Sequence, residues 1–179
     1  GLNVAQLLFT QQEFTNPTRF QNFKNTIKVL FDWGVIPIIN ENDAVAVDEI
    51  RMGDNDLLSA FTASGVEADL LIILTDVDGL HTGDPKKNGS VEVIRTVEKV
   101  TSDIEDLARE SADEGFGGIV TKVQAAKMAT EEGIPVVVTD ASIDRVLKRV
   151  LVGEEIGTFF FPQDQAEKDE SGGELVFES

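Results

Sequence analysis

The chain has 179 residues, and its 33 acidic side chains against 15 lysines and arginines give a formal charge of −18. A chain of this length buries roughly 70% of its unfolded surface on folding. The hydrophobic fraction of 41% is therefore enough for one folded domain. The absence of cysteine excludes a disulfide scaffold, a thiolate zinc site and a cysteine nucleophile. The negative charge argues against nucleic-acid binding, because phosphate backbones are repelled at long range.

No apolar run reaches the roughly 20 residues that a membrane-spanning helix requires, and the chain does not open with a signal-like segment. We therefore expect a cytoplasmic protein that makes no contact with a membrane. Residues 163–179 hold six acids and one lysine. We predict a folded domain over residues 1–162, followed by this acidic polar tail.

The first residues have the apolar spacing of one side of a helix. They are Leu2, Val4, Ala5, Leu7 and Leu8. Because position 1 is glycine rather than methionine, we expect the natural chain to begin further upstream. Residues 17–33 predict the next helix, because their apolar side chains recur at helical offsets. These side chains are Phe20, Phe23, Ile27, Leu30 and Phe31.

Buried strands and helices alternate in the rest of the chain. The predicted strands lie at residues 35–39, 70–74 and 136–139, with a last apolar segment at 158–161. The predicted helices lie at residues 54–64, after Ser102, at 119–132 and near 143–151. The first two strands and the helix between them form a predicted βαβ unit, and residues 80–114 indicate a lobe or lid. Together the elements predict an α/β fold with a mostly parallel sheet covered on both faces.

Polar residues follow three of the predicted strands. In parallel sheets, ligands bind beyond the carboxyl ends of the strands. Residues 40–43, 75–79 and 139–140 are therefore expected to share one functional edge. The first group includes Asn40, Asn42 and Asp43, which fit a small polar molecule or an ordinary solvated loop equally well. Thr75 and Asp76 fit either a nucleotide or a capped turn.

The most specific local pattern is a pair of glycines before a helix with a lysine in its first turns. Glycines let the backbone approach an anion, and free N–H groups with the helix dipole favour negative charge. Lys122 adds a compact ammonium. The spacing differs from a Walker A loop, and the alternative is a glycine turn followed by a solvated lysine. Residues 53–56 (GDND) open a predicted helix. They fit either a binding role or simple helix capping.

The chemistry that these residues offer needs no general base. The chain has one histidine, His81, which we interpret as a turn residue, and it has no cysteine. Base-activated nucleophiles are therefore disfavoured. A carboxylate acceptor with a reference pKa of about 4.3 is already ionised at neutral pH. Its reaction with a phosphoryl group requires positioning and cations, with Mg²⁺ carried by ATP and no metal ion bound by the protein itself.

Four segments in this order and spacing resemble the glutamate 5-kinase group of the amino-acid-kinase family. They are residues 38–45 (IINENDAV), 53–56 (GDND), 74–80 (LTDVDGL) and 116–122 (FGGIVTK). The resemblance extends over nearly everything before the tail. It implies a three-layer αβα sandwich that transfers the γ-phosphoryl group of ATP to the side-chain carboxylate of L-glutamate, the first step of proline synthesis.

The resemblance also implies roles for individual residues. Lys122 stabilises transition-state charge, and Asp56 organises the catalytic lysines. Glutamate is contacted by Asp43 and Asn55, with Asn40 and Asn42 in the same loop. The nucleotide is contacted by Thr75, Asp76, Phe116, Gly117, Gly118, Ile119, Val120, Thr121 and Lys122. A homo-oligomer is usual in the family, and proline is a possible feedback inhibitor.

The chain also departs from the family pattern. The N-terminal strand and glycine loop of the family, with a second catalytic lysine and a glutamate-binding serine, have no counterpart here. We therefore expect this chain to be inactive alone. Three alternatives remain open: a related acetylglutamate, carbamate or uridylate kinase, a kinase domain fused to a reductase, or a non-catalytic nucleotide-binding module.

Overall fold

The structure, a computed structural model, describes residues 1–10, 12–42, 55–83, 91–110 and 118–163. The elements are β1 (Asn3–Phe9), α1 (Gln12–Thr15), α2 (Pro17–Asp32), β2 (Val35–Glu41), α3 (Asn55–Gly65), β3 (Leu71–Thr75), β4 (Thr96–Val97), α4 (Ser102–Glu110), α5 (Gly118–Glu131), β5 (Val136–Asp140), α6 (Val146–Leu151) and β6 (Thr158–Phe160). The predicted alternation of strands and helices is confirmed from α2 onward. The boundary between folded domain and acidic tail stays a prediction, because residues 164–179 lie outside the described residues.

The first residues form a strand, so the predicted helix there is wrong. β1 pairs in parallel with β2, from Asn3 opposite Val35 to Phe9 opposite Glu41. Along β1 every second side chain from Ala5 to Phe9 is partly buried, which is the two-residue period of a strand. The apolar spacing fits either structure, and the backbone hydrogen bonds to β2 decide in favour of the strand.

β2 and β3 lie in different sheets, which corrects the predicted βαβ unit. One sheet contains β1 and β2, and the other has the order β3-β5-β6-β4. α3 packs against both β2 and β3, and a cavity of about 340 Å³ is lined by Pro37 and Ile39 of β2 and by Leu71 of β3. β2 was predicted to be a buried strand, and this is wrong in part: Ile36 and Ile38 are 46% and 52% exposed.

Small side chains bring α3 and α5 together over the four-stranded sheet. Ala60 and Ala63 of α3 and Ala125, Ala126 and Ala129 of α5 are at most 5% exposed. They belong to one apolar core with the inward-facing side chains of β3 and β5. Alanine allows two helix backbones to approach closely, so this packing determines which side chains meet at the N-terminal ends of α3 and α5.

The four-stranded sheet has mixed strand directions. β5 is parallel to β3 and antiparallel to β6, and β6 is parallel to β4. Residues 96–97, which were predicted to belong to a lobe or lid, are therefore part of the sheet. Val137 of β5 and Phe159 of β6 are not part of the main core cluster and line a cavity with Val150 of α6. Among the described residues, no helix is long and apolar enough to cross a membrane.

Candidate active site

The carboxyl ends of β3 and β5 meet at one edge of the four-stranded sheet, as predicted for two of the three polar groups; the third group follows β2, which lies in the other sheet. Thr75 is the register partner of Asp140, and the Ala141 N–H donates to the carbonyl oxygen of Thr75. The Thr75 hydroxyl lies 3.1 Å from Asp76 Oδ1. The Asp140 carboxylate accepts from both the N–H and the hydroxyl of Ser142. This edge therefore presents an exposed carboxylate, Asp76, beside a fixed turn.

The clearest functional geometry is an ion pair between the N-terminal turns of α3 and α5. Lys122 Nζ lies 3.0 Å from Asp56 Oδ2. The two residues are 66 positions apart in the chain, and they meet because the alanine-rich faces of the two helices pack together. Lys122 also donates to the carbonyl oxygen of Gly118, at 3.2 Å. The ammonium is thus held over the first turn of α5.

The pair lies in a partly enclosed position. The side chains of Lys122 and Asp56 are 14% and 13% exposed. Charges removed from water are costly unless they are paired, and here each charge offsets the cost of the other. A partly buried ammonium at a helix N-terminus, where free N–H groups also point outward, is suited to binding an anion. The arrangement can stabilise negative charge that develops during phosphoryl transfer.

Gly118 allows the Lys122 side chain to lie close to the backbone of α5. A Cβ built on Gly118 would lie 3.4 Å from Lys122 Nζ, so the lysine packs directly over the bare backbone. The side chains of Ile119 and Val120 point elsewhere: Ile119 is 9% exposed and belongs to the core, and Val120 packs against it. Contacts of these two residues with a nucleotide would therefore use their backbone groups.

The candidate substrate residues that the structure describes lie in two places, the end of β2 and the start of α3. Asn40 lies in β2 and Asn42 directly follows that strand, with its N–H donating to the carbonyl oxygen of Phe9. Asn55 is the exposed first residue of α3 and lines the cavity between β2 and β3. The remaining predicted site residues, Asp43, Phe116 and Gly117, lie outside the described residues.

A residue that the sequence analysis missed fixes the loop after β3. Thr158 is fully buried, accepts a hydrogen bond from the Leu80 N–H at 2.8 Å and donates to the Ile94 carbonyl oxygen at 2.7 Å. Its hydroxyl thereby connects β6 to the segment that carries Asp76. Threonine is common in strands, so nothing in the sequence distinguishes this position. His81, in the same segment, pairs with Val93 and lies 2.9 Å from Asp78.

We expect Thr158→Val to destabilise the fold by about 3 kcal/mol, because the Leu80 N–H and the Ile94 carbonyl both lose a buried partner. Thr139→Val is the matched control. Thr139 is equally buried, and its hydroxyl has no hydrogen-bond partner within the described part of the chain. That control is expected to leave stability unchanged or to increase it. Urea unfolding of both variants measures the difference, and equal losses would contradict this account of Thr158.

A second ion pair fixes α5 from its other side. Lys127 Nζ donates to Glu105 Oε1 of α4 at 2.7 Å. This hydrogen bond holds the pKa of Glu105 below its usual value and the pKa of Lys127 above its usual value. The contact therefore weakens as the pH falls through the lowered pKa of Glu105 or rises through the raised pKa of Lys127.

Comparison with known proteins identifies the family of this chain. Residues 1–140 match the amino acid kinase family. Glutamate 5-kinase from Syntrophotalea carbinolica is 48% identical over 166 residues, which are 92% of this chain and 44% of that protein. Glutamate 5-kinase from Clostridium tetani is 47% identical over 161 residues, which are 89% of this chain and 60% of that protein. The chain thus spans about half the length of these curated relatives.

Solved structures show the same fold at low identity. An isopentenyl phosphate kinase matches with a TM-score of 0.63 at 18% identity, over 89% of this chain and 60% of that one. UMP kinase from Bacillus anthracis matches with a TM-score of 0.60 at 18% identity, over 91% of this chain and 59% of that one. At this identity the likeness concerns the fold alone. The match over residues 1–140 is sufficient to assign the family. The chain belongs to the amino acid kinase family.

Proposed function

We propose that this chain is part of the kinase domain of a glutamate 5-kinase, an enzyme that transfers the γ-phosphoryl group of ATP to the side-chain carboxylate of L-glutamate. The relatives from Syntrophotalea carbinolica and Clostridium tetani support this assignment by name and identity. The observation that carries it is the Lys122–Asp56 pair, an enclosed ammonium held at the N-terminus of α5.

The chemistry fits a site without a general base. A glutamate side chain is ionised at neutral pH, so one of its carboxylate oxygens can attack the γ-phosphorus directly. The new bond joins that oxygen to phosphorus, and the bond from phosphorus to the β–γ bridging oxygen breaks. ADP leaves with the electron pair, and γ-glutamyl phosphate is the product. Lys122 stabilises charge on the transferring group, and Asp56 holds Lys122 in place.

The residues of this chain fit a nucleotide that carries its own metal ion. Lys122 and the backbone N–H groups at the start of α5 suit phosphate oxygens. Thr75 and Asp76, at the end of β3, offer a hydroxyl and a carboxylate to the remainder of ATP. Mg²⁺ would supply charge neutralisation between the phosphates. Asn55 would contact glutamate, together with Asp43.

The same proposal extends to the setting of the enzyme. We expect activity in the cytoplasm and a homo-oligomeric assembly. We also expect the complete enzyme to be inhibited by proline, the end product of the synthesis that this reaction begins. These expectations follow from the resemblance to glutamate 5-kinases and are tested separately from the chemistry.

A γ-glutamyl hydroxamate assay with ATP, Mg²⁺ and glutamate tests the proposed reaction. We compare this chain with an extended enzyme, a chimera in which the portion of the Syntrophotalea carbinolica relative that precedes the matched region is joined to Gly1. Glutamate-dependent hydroxamate is expected from the extended enzyme and not from the chain alone. The resemblance explains this difference, because it assigns a second lysine and a serine to the preceding portion.

Two outcomes would overturn the proposal. Turnover of acetylglutamate, carbamate or UMP without turnover of glutamate would assign the chain to another kinase of the family. Binding of ATP by the extended enzyme, with no phosphoryl transfer to any of these acceptors, would indicate a non-catalytic module.

A further inference from the structure

Two neighbouring residues of α5 bind the same oxygen atom of Asp56. Thr121 Oγ1 lies 2.9 Å from Asp56 Oδ2, and Lys122 Nζ lies 3.0 Å from that atom. Both donors also lie near the carbonyl oxygen of Gly118, at 3.0 Å and 3.2 Å. The carboxylate of α3 is therefore attached to α5 through two side chains rather than one.

The single hydrogen of the Thr121 hydroxyl limits what this residue can do. A carboxylate and a carbonyl oxygen are both acceptors, so the hydroxyl can donate to only one of them at a time. The charged acceptor forms the stronger hydrogen bond, which assigns the hydrogen to Asp56. The same hydroxyl cannot simultaneously donate to a phosphate oxygen. A contact of Thr121 with the nucleotide would then use its backbone N–H in the first turn of α5 and not its hydroxyl.

The two donors also differ in mobility. Threonine is β-branched, and its χ1 angle is restricted in a helix. Lysine carries its ammonium on a flexible four-carbon stem. Lys122 can turn toward a phosphoryl oxygen without any backbone movement, whereas Thr121 cannot follow it. Of the contacts of Asp56 with Thr121 and Lys122, the one with Thr121 is therefore the one that persists while the lysine moves.

We propose that Thr121 is a positioning residue whose hydroxyl anchors the Asp56 carboxylate to α5, so that the carboxylate keeps its place when Lys122 turns toward the substrate. The effect on turnover rests on the proposed function. The anchoring itself is a property of this chain and can be measured without any reaction.

Three variants of the extended enzyme test the role in turnover. Thr121→Val removes the hydroxyl at constant shape, and Thr121→Ser keeps it. Thr130→Val is the matched control, because the Thr130 hydroxyl lies 3.0 Å from the carbonyl oxygen of Lys127, three residues earlier, just as the Thr121 hydroxyl lies 3.0 Å from that of Gly118. We expect kcat to fall about tenfold in Thr121→Val and to recover in Thr121→Ser. The KM for ATP is expected to stay within about twofold, and the control to match the unchanged enzyme.

The second measurement uses this chain alone. Acetylation of lysines at fixed pH, followed by mass spectrometry, compares Lys122 with Lys127, which is paired with Glu105. In Thr121→Val we expect Lys122 to react about threefold faster, with Lys127 unchanged, because its carboxylate partner is less firmly held.

Two results would overturn the inference: unchanged acetylation of Lys122 in Thr121→Val, or a raised KM for ATP with kcat preserved. The second result would mean that Thr121 contacts the nucleotide. If the unmodified extended enzyme shows no turnover of glutamate, the proposed function fails, and the acetylation rates still decide whether Thr121 anchors Asp56.

Discussion

Lys122→Met is expected to lower kcat of the extended enzyme by about 10³-fold, because it removes the enclosed cation nearest the start of α5. The folded structure is expected to persist. Asp56 keeps its hydrogen bond from Thr121, and methionine fills most of the space of the lysine stem. Hydroxamate formation measures the rate, and circular dichroism with thermal unfolding measures the fold.

Lys127→Met provides the control for this substitution. Lys127 lies on the same helix and also forms an ion pair, but its partner is Glu105 of α4. We expect kcat to stay within about twofold of the unmodified value, since surface pairs contribute little. Equal losses in the two variants would mean that Lys122 acts through the stability of α5 and not through charge at the reacting group.

A double-mutant cycle separates the roles of Asp56 and Lys122. If Asp56 acts only by holding Lys122, then Asp56→Asn reduces kcat in the unmodified enzyme but has no further effect in the Lys122→Met background. Additive losses would instead indicate that Asp56 has a separate function, such as holding a second cation.

The elements most clearly predicted from the sequence were those with strong periodicity. The helix that became α2 was predicted from five apolar residues at helical offsets, and Asn16 caps it with its side-chain oxygen. The runs that became β3 and β5 were equally clear. β1 was missed because its apolar spacing fits a helix or a strand. Only its hydrogen bonds to β2, a segment more than 25 residues away, resolve the ambiguity.

Local sequence patterns could not predict which distant segments of the chain contact each other in the fold. Chain order does not determine which strands pair, so β2 and β3 were wrongly joined in one sheet. Likewise, no spacing rule connects Asp56 with Lys122; the resemblance to a family connected them, and the structure brings their atoms within 3.0 Å. The resemblance assigns Thr121 to the nucleotide site. Its contact with Asp56 depends on the packing of α3 on α5, which the sequence does not show.

Gly157→Ala is expected to destabilise the fold by about 3–5 kcal/mol, from left-handed backbone strain together with a steric clash. Gly157 has a φ of +77°, and a Cβ there would lie 2.2 Å from the carbonyl oxygen of Val138 and 2.7 Å from Cβ of Thr139. The obstacles are parts of β5, and they cannot move without disturbing its pairing with β6, where Val138 is opposite Thr158.

Gly153→Ala isolates the backbone contribution. Gly153 has nearly the same φ, +81°, but no atom of the described residues lies within 4 Å of a Cβ built there. The Gly153→Ala substitution is expected to lower the free energy of unfolding by only about 1 kcal/mol. The difference between the two variants in urea unfolding then measures the close approach of Gly157 to β5. Equal costs would mean that β5 shifts without penalty. A large difference would show that the end of β5, beside Thr75, is held rigidly by the chain that enters β6.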